Sequence, residues 1–261
     1  MNRHFNRNIV RYPIILFLIL ILNPVVKAQE EEVDFQLWLN HALTVQANQK
    51  LSYGGDIGFR GFISNEDWNQ ILIRPAVTYR FNYTFSAAGA VAWFSTFNDK
   101  DENINEFRIH QDFNAKWPDF GFVEFFYRLR IEQRWFFYET LPNDFDLRVR
   151  YLIGAESSDI NLFGPKAPIY FQLIYEGFRT VNEKSAFEIL IDQSRLHVAM
   201  GQRISKRFRY ELHYIWQKSR DGSVDGLELS QNIFRIRTFH TIPFKTKEPP
   251  PSDPVSYKHL R

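Results

Sequence analysis

No cysteine occurs among the 261 residues, so disulfides, thiolate nucleophiles and cysteine-held metals are excluded. A His-Glu-x-x-His zinc motif is missing, as is any glycine-rich phosphate loop. Long apolar runs are scarce. The one uninterrupted run, Ile14 to Leu22 (IILFLILIL), has about half the length that a helix needs to cross a bilayer. No later segment approaches that length, so a membrane could be crossed by the rest of the chain only with strands.

The apolar run has a characteristic setting. Arg3, Arg7 and Arg11 precede it, Asn23 and Pro24 end it, and Val26-Lys27-Ala28 leads into Gln29. That is the layout of a secretory signal peptide over residues 1–28, and cleavage is expected between Ala28 and Gln29. The leader holds four of the 32 basic side chains and none of the 30 acidic ones, which leaves the rest a formal charge of −2. The sequence pI of 8.7 therefore belongs largely to the leader and gives no argument for a nucleic-acid partner.

Aromatic residues, in contrast, are abundant at 17%, with 26 Phe, 12 Tyr and 6 Trp, while the mean hydropathy is −0.35. Many rings with a polar average suit a wall whose two faces alternate. Period-two alternation does recur from Phe35 to Phe244. Phe35, Leu37, Leu39, Leu43 and Val45 share one face of the first segment. In the second, Leu51, Tyr53, Ile57 and Phe59 oppose Asp56 and Arg60. The third sets Ile71, Ile73, Val77 and Tyr79 against Gln70, Arg74, Thr78 and Arg80. Tyr83 to Phe97 is small and apolar, and its Gly89 suggests a bulge or a close approach. Gly54-Gly55, inside a strand pattern, suggests a bulge or sharp twist.

Charge alternates most clearly in the middle of the chain. Asn105–Trp117 sets Phe107, Ile109 and Phe113 against Glu106, Arg108, His110 and Asp112. Val123–Phe137 sets Tyr127, Leu129, Ile131 and Trp135 against Glu124, Arg128, Arg130, Glu132 and Arg134. Phe145–Ala155 sets Leu147, Val149 and Tyr151 against Arg148 and Arg150. Further strands are expected at 168–179, 194–204, 207–218 and 228–244, whereas Val181–Asp192 reads equally as loop, short helix or strand.

Together these segments predict an all-β fold over residues 29–244, a closed antiparallel up-and-down transmembrane β-barrel. Segments of about 11–15 residues are long enough to span an outer membrane when tilted. Eleven segments are clear, but single-chain bacterial barrels usually close with an even number. Twelve strands are expected, with ten as the alternative, the uncertain stretches being Val181–Asp192 and the residues before Phe35. Lys245–Arg261 (KTKEPPPSDPVSYKHLR) is too rich in proline and charge to continue a ladder. It is expected to be a disordered periplasmic tail, dispensable or a tether for a periplasmic partner.

Charges facing lipid would be costly, so the charged face is expected to line the lumen. The candidate lattice is Arg60, Arg74, Glu106, Arg108, Asp112, Glu124, Arg128, Arg130, Glu132, Arg134, Arg148, Arg150, Glu211, Arg235 and Arg237. Two readings stay open: a structural ion-pair lattice filling the barrel, and a basic site or narrow pore for small or anionic solutes.

Seven segments in order, DIGFRGF (56–62), IRPAVTYRF (73–81), EFRIHQDF (106–113), YRLRIEQRWF (127–136), LRVRYLIG (147–154), DQSRLHVAMGQRIS (192–205) and YELHYIWQ (210–217), resemble a bacterial family catalogued as domain of unknown function 2490. The resemblance covers nearly the whole exported chain, and the RLRxExR element is its most specific part. It implies an outer-membrane barrel and no biochemical activity. The proline-rich tail after Phe244 departs from the family pattern.

Catalysis finds little support. No histidine sits in the His-x-Ser-Asn-Gly context of the outer-membrane phospholipase, and Ser194 and His197, three residues apart in a strand, fall on opposite faces. His110 with Asp112 and Glu211 with His213 share faces, but two ligands do not close a metal site. The expectation is a non-enzymatic protein of the bacterial outer membrane, without cofactor or metal. Its partners would be outer-membrane lipids and, during biogenesis, periplasmic chaperones and the barrel-assembly machinery. An outer-membrane lipid hydrolase and a soluble periplasmic ligand-binding barrel or sandwich are the alternatives.

Overall fold

The computed structural model describes residues 34–63, 68–117, 120–161, 168–181, 193–220 and 227–244. The expected leader, the tail from Lys245 and all of 181–192 except Val181 lie outside them. Eleven strands are described: β1 (Asp34–Gln46), β2 (Leu51–Phe62), β3 (Trp68–Arg80), β4 (Phe85–Asn98), β5 (Ile104–Lys116), β6 (Val123–Tyr138), β7 (Asp144–Ser157), β8 (Ile169–Thr180), β9 (Gln193–Arg203), β10 (Phe208–Arg220) and β11 (Leu227–Ile242). Each pairs antiparallel with its sequence neighbour, and β1 pairs with β11 to close a barrel.

Neither twelve strands nor ten are present among the described residues, and the barrel is not antiparallel throughout. The first and last strands of an odd ring point the same way, so β1 and β11 pair in parallel, from Asp34↔Gln231 to Val45↔Ile242. Parallel pairing is slightly weaker per residue than antiparallel, but this seam is twelve pairs long. β8 pairs directly with β9, and the reserve stretch Val181–Asp192 lies, beyond Val181, outside the described residues. One consequence of the odd count is that Asp34 and Ile242 stand at opposite rims.

The rim where β1 meets β2 has tight turns with a shared device. Asn48 Oδ1 accepts the N–H groups of Lys50 and Leu51, Asn82 Oδ1 those of Thr84 and Phe85, and Ser205 Oγ those of Arg207 and Phe208. A side-chain acceptor thus replaces a backbone acceptor at each corner. At the opposite rim Glu102 accepts from both the N–H and the hydroxyl of Thr140, tying the β4–β5 loop to the β6–β7 loop. The Thr140 N–H in particular holds the Glu102 carboxyl below the usual carboxylate range.

Pleating sends alternate side chains out and in. Leu39, Ile57, Ile73, Leu129, Leu173 and Ile236 are exposed on the outer surface, whereas Glu106, Arg108, Asp112, Arg130, Glu132 and Arg150 are buried inside. Trp93, Phe107, Trp135 and Phe145 face each other across four successive strands and form a ribbon of rings, with centroids 6.5, 5.7 and 5.2 Å apart. Two outward polar pairs satisfy each other: His41 Nδ1 with Thr238 Oγ1 at 2.8 Å, and Gln111 with Gln133.

Glycine positions differ from expectation. The register runs through Gly54-Gly55 without a shift, so no bulge forms there. Their φ angles are 154° and 142° instead, and a Cβ would lie 2.0 Å from the Leu43 carbonyl oxygen at Gly54 and 2.1 Å from that of Arg74 at Gly55. Only glycine fits so close to both neighbouring backbones. Gly89 is neither a bulge nor a close approach, since it pairs regularly with Val77 and Gln111 and has open space where a Cβ would be. The irregularity lies elsewhere, in a register shift at Gln217/Lys218 between β10 and β11.

Candidate functional site: the barrel interior

Antiparallel register brings the charges of β5, β6 and β7 side by side. Arg130 stands opposite both Asp112 and Arg150, and Glu132 opposite both His110 and Arg148. Arg130 grips Asp112 with two hydrogen bonds, at 2.6 and 2.7 Å. Arg134 and Arg108 both donate to Glu106, at 2.6 and 2.9 Å. Glu132, with no exposed surface, accepts from Arg148 and from Arg150, each at 2.8 Å. Arg108 and Arg130 stand 3.6 Å from it. Arg150 and Arg128 both reach Glu176 on β8, at 2.8 and 2.6 Å. Arg108, Arg130, Arg134 and Arg150 each bridge carboxylates on two strands, and every arginine of the lattice has a counter-charge.

A second set of contacts crosses the lumen. The Arg60 guanidinium lies 4.3 Å from the Trp38 ring centre and 5.7 Å from that of Phe94. Arg195, from β9, sits 4.9 Å from Trp38 and 4.7 Å from Phe178, and Arg150 is 4.6 Å from Phe178. Arg108 closes the circuit 4.1 Å over Phe94. Successive contacts thus run Phe94, Arg60, Trp38, Arg195, Phe178, Arg150, Glu132, Arg108 and back to Phe94. Beside them Ile215 and Ile233, fully buried, pack on Trp38, and Leu72 and Ala92 on Phe94. Cation–π and dispersion contacts hold this septum of stacked guanidiniums and rings together.

Toward the tight-turn rim the interior opens into a cavity of about 750 Å³, with Tyr83, Lys116, Glu124 and Arg209 near its mouth and Trp38, Arg60 and Arg195 at its floor. Eleven arginines and lysines line it against six carboxylates. On the two sides of the seam, Arg74 grips Asp56 on β2, while Tyr170 and His213 hydrogen-bond Glu211 on β10, at 2.8 and 3.0 Å.

All fifteen candidate residues face inward, but they form no single lattice. Glu106, Arg108, Asp112, Arg128, Arg130, Glu132, Arg134, Arg148 and Arg150 join through β5–β7. Arg60 belongs to the septum, and Arg74, Glu211, Arg235 and Arg237 line the opposite wall of the cavity. Glu124 is a rim residue, paired with the exposed Lys116. Sequence reasoning missed Glu176 and Arg195, which have no charged neighbour two residues away on their inward faces, and the inward rings Trp38, Phe94 and Phe178. A strict parity count along YFQLIYEGF (170–178) would have placed Glu176 inward. Ser194 and His197 fall on opposite faces of β9, as their spacing requires. No cluster of three or more metal-ligating side chains occurs among the described residues.

Fold and interior define a closed β-barrel protein with a charged interior. The chain belongs to the family described as Protein of unknown function (DUF2490), which matches residues 35–227, from β1 to the first residue of β11. No curated protein matches the sequence. Among solved structures, similarity is found to an anion-selective porin from Comamonas acidovorans, with a TM-score of 0.30, 16% identity and 72% of this chain covered. The chain spans 55% of that porin's length.

Proposed function

We propose that the protein is an exported outer-membrane β-barrel that does not conduct, a structural or binding barrel without catalytic activity whose lumen is closed by its own side chains. The septum carries this reading. A path through the lumen would have to break the circuit through Phe94, Arg60, Trp38, Arg195, Phe178, Arg150, Glu132 and Arg108, whose guanidinium–ring contacts are 4.1–5.7 Å. Membrane placement is supported by the exposed apolar outer face and the lateral ribbon of aromatic rings, features of a lipid-facing wall. Strands of 11–16 residues, when tilted, rise about 25–40 Å, enough to cover an apolar band about 25 Å tall. Tight turns conventionally face the periplasm, which would put the cavity mouth and the chain after Ile242 on that side. Lipids and the assembly machinery would be the partners this placement requires.

Two measurements test the reading. Fractionation should find the protein in the outer membrane, with an N-terminus at Gln29 and heat-modifiable gel mobility. Recovery in the soluble periplasm would sink the membrane placement. In planar bilayers the intact barrel should show no steady conductance, whereas Trp38→Ala with Phe178→Ala should create one. Ohmic channels from the unaltered protein would mean that the septum is not a barrier.

A further inference from the structure

Every arginine of the lattice on β5–β7 has a carboxylate partner, and on the wall opposite this is not so. Arg235 and Arg237 lie on one face of β11, two residues apart, where β11 meets β1. Neither makes an ion pair among the described residues. Arg235 Nε donates only to Asn40 Oδ1, at 3.0 Å, and Arg237 Nε is buried with no hydrogen-bond partner. Arg60, deeper in the cavity, donates to Gln70 at 3.2 Å and leaves its own Nε unpartnered. Asn40 Nδ2, between Arg237 on β11 and Gly58 on β2, is likewise unpartnered.

The nearby carboxylates are already engaged. Asp56 gives both oxygens to Arg74, and Glu211 is held by Tyr170 and His213 with Arg209 at 3.6 Å. Arg74, Arg235 and Arg237 all lie within electrostatic reach of Asp56 and of one another. Burying unpaired guanidiniums side by side is costly. Their planar forks are suited to a tetrahedral or planar oxyanion, and the cavity has the volume of a small-molecule site.

We propose that this seam is an oxyanion site, in which Arg235 and Arg237, with Arg74 beside them and Arg60 beneath, take a phosphate or phosphate monoester from the tight-turn mouth. A dianion matches two guanidiniums that make no ion pair among the described residues, and oxygens directed at the Arg237 and Arg60 Nε groups would satisfy donors that the protein leaves open. This deepens the reading of a closed barrel by giving its vestibule a ligand class. It stands apart from conductance, so the two can fail separately.

The test uses the exported chain, refolded in a zwitterionic detergent, and titrates it with inorganic phosphate and, separately, with a short-chain phosphatidic acid, read by calorimetry. Saturable binding is expected, weakened about tenfold or more in Arg235→Gln/Arg237→Gln, because each lost charged hydrogen bond is worth about that factor. Glu102→Gln at the far rim should bind as the unaltered protein does. Binding of both probes supports a free anion as ligand. Binding of the phosphatidic acid alone supports the same site with a lipid headgroup as its source. If the double variant does not refold to a heat-modifiable barrel, Arg237→Lys is read instead, which keeps the charge, loses the fork and should still weaken binding. No saturable binding of either probe, or equal affinity in a folded variant, overturns the proposal.

Discussion

Glu132 is the most heavily committed carboxylate in the barrel, and neutralising it should be costly. In Glu132→Gln the shape is kept and the charge removed. Arg108 retains Glu106, Arg130 retains Asp112 and Arg150 retains Glu176. Arg148 has no second carboxylate within ion-pair distance among the described residues, since its only contact of this kind is with Glu132 at 2.6 Å. Removing one member of a buried pair costs about 3–5 kcal/mol. The amide oxygen keeps one acceptor, which places the expected loss near the lower end, about 3 kcal/mol. Glu124→Gln is the internal comparison, because its partner Lys116 is 61% exposed and such pairs are worth about 0–1 kcal/mol. Urea unfolding of the refolded barrel, followed by tryptophan fluorescence and heat-modifiable mobility, reads both variants on one scale. Adding Arg148→Gln to Glu132→Gln should recover part of the loss, as coupled neighbours do in a double-mutant cycle. If Glu132→Gln costs no more than Glu124→Gln, the lattice does not hold the wall together and the reasoning is wrong.

Other expectations follow from the same geometry. Ile131→Arg, on the outer face opposite Val149 and Gln111, should reduce assembly into lipid vesicles by about 2–4 kcal/mol if it lies at mid-membrane. A cysteine at 131 should react with a lipid-soluble probe and one at 130 should not, and the reverse pattern would invert the register. Gly55→Ala places a Cβ 2.1 Å from the Arg74 carbonyl oxygen at a φ of 142°, so a loss of about 1–3 kcal/mol is expected on the urea scale. Acidification should free the rim tie at Glu102. Its carboxyl titrates lower folded than unfolded, so the tie is present above the ordinary glutamate value and lost as pH falls through the depressed one. Faster Thr140 amide exchange over that interval is the readout, and unchanged exchange would count against the tie.

The wall was legible because its physics is local. Alternation at a period of two marks each strand, and turn residues such as Asn48, Asn82 and Ser205 mark where it stops, so the expected strand limits fall within a few residues of those found. Ring closure is not local. Nothing in the patterns of β1 or β11 records that strands some 200 positions apart lie side by side and parallel, and the habit of even numbers pointed to a twelfth strand instead. The interior divides similarly. Charges at i and i+2 on three successive strands could be read as one lattice because hairpin pairing makes them neighbours. Trp38, Phe94 and Phe178 stayed hidden because alternation assigns rings to the outside, and only a view across the lumen shows guanidiniums stacked on them.

The parallel seam also bears on how the chain becomes a barrel. Its partners, such as Asp34 and Gln231, are the most distant in sequence of any in the wall, so they carry the largest loop-closure entropy and are expected to meet last. Until then β1 and β11 are two open edges with unpaired backbone groups, each able to template onto another unfinished copy. Exchange of β11 between two chains would satisfy the same twelve residue pairs, making a swapped dimer the natural misassembly. Arg235 and Arg237 reach their places only when the ring is shut, so an anion captured there would act as a latch on the finished barrel.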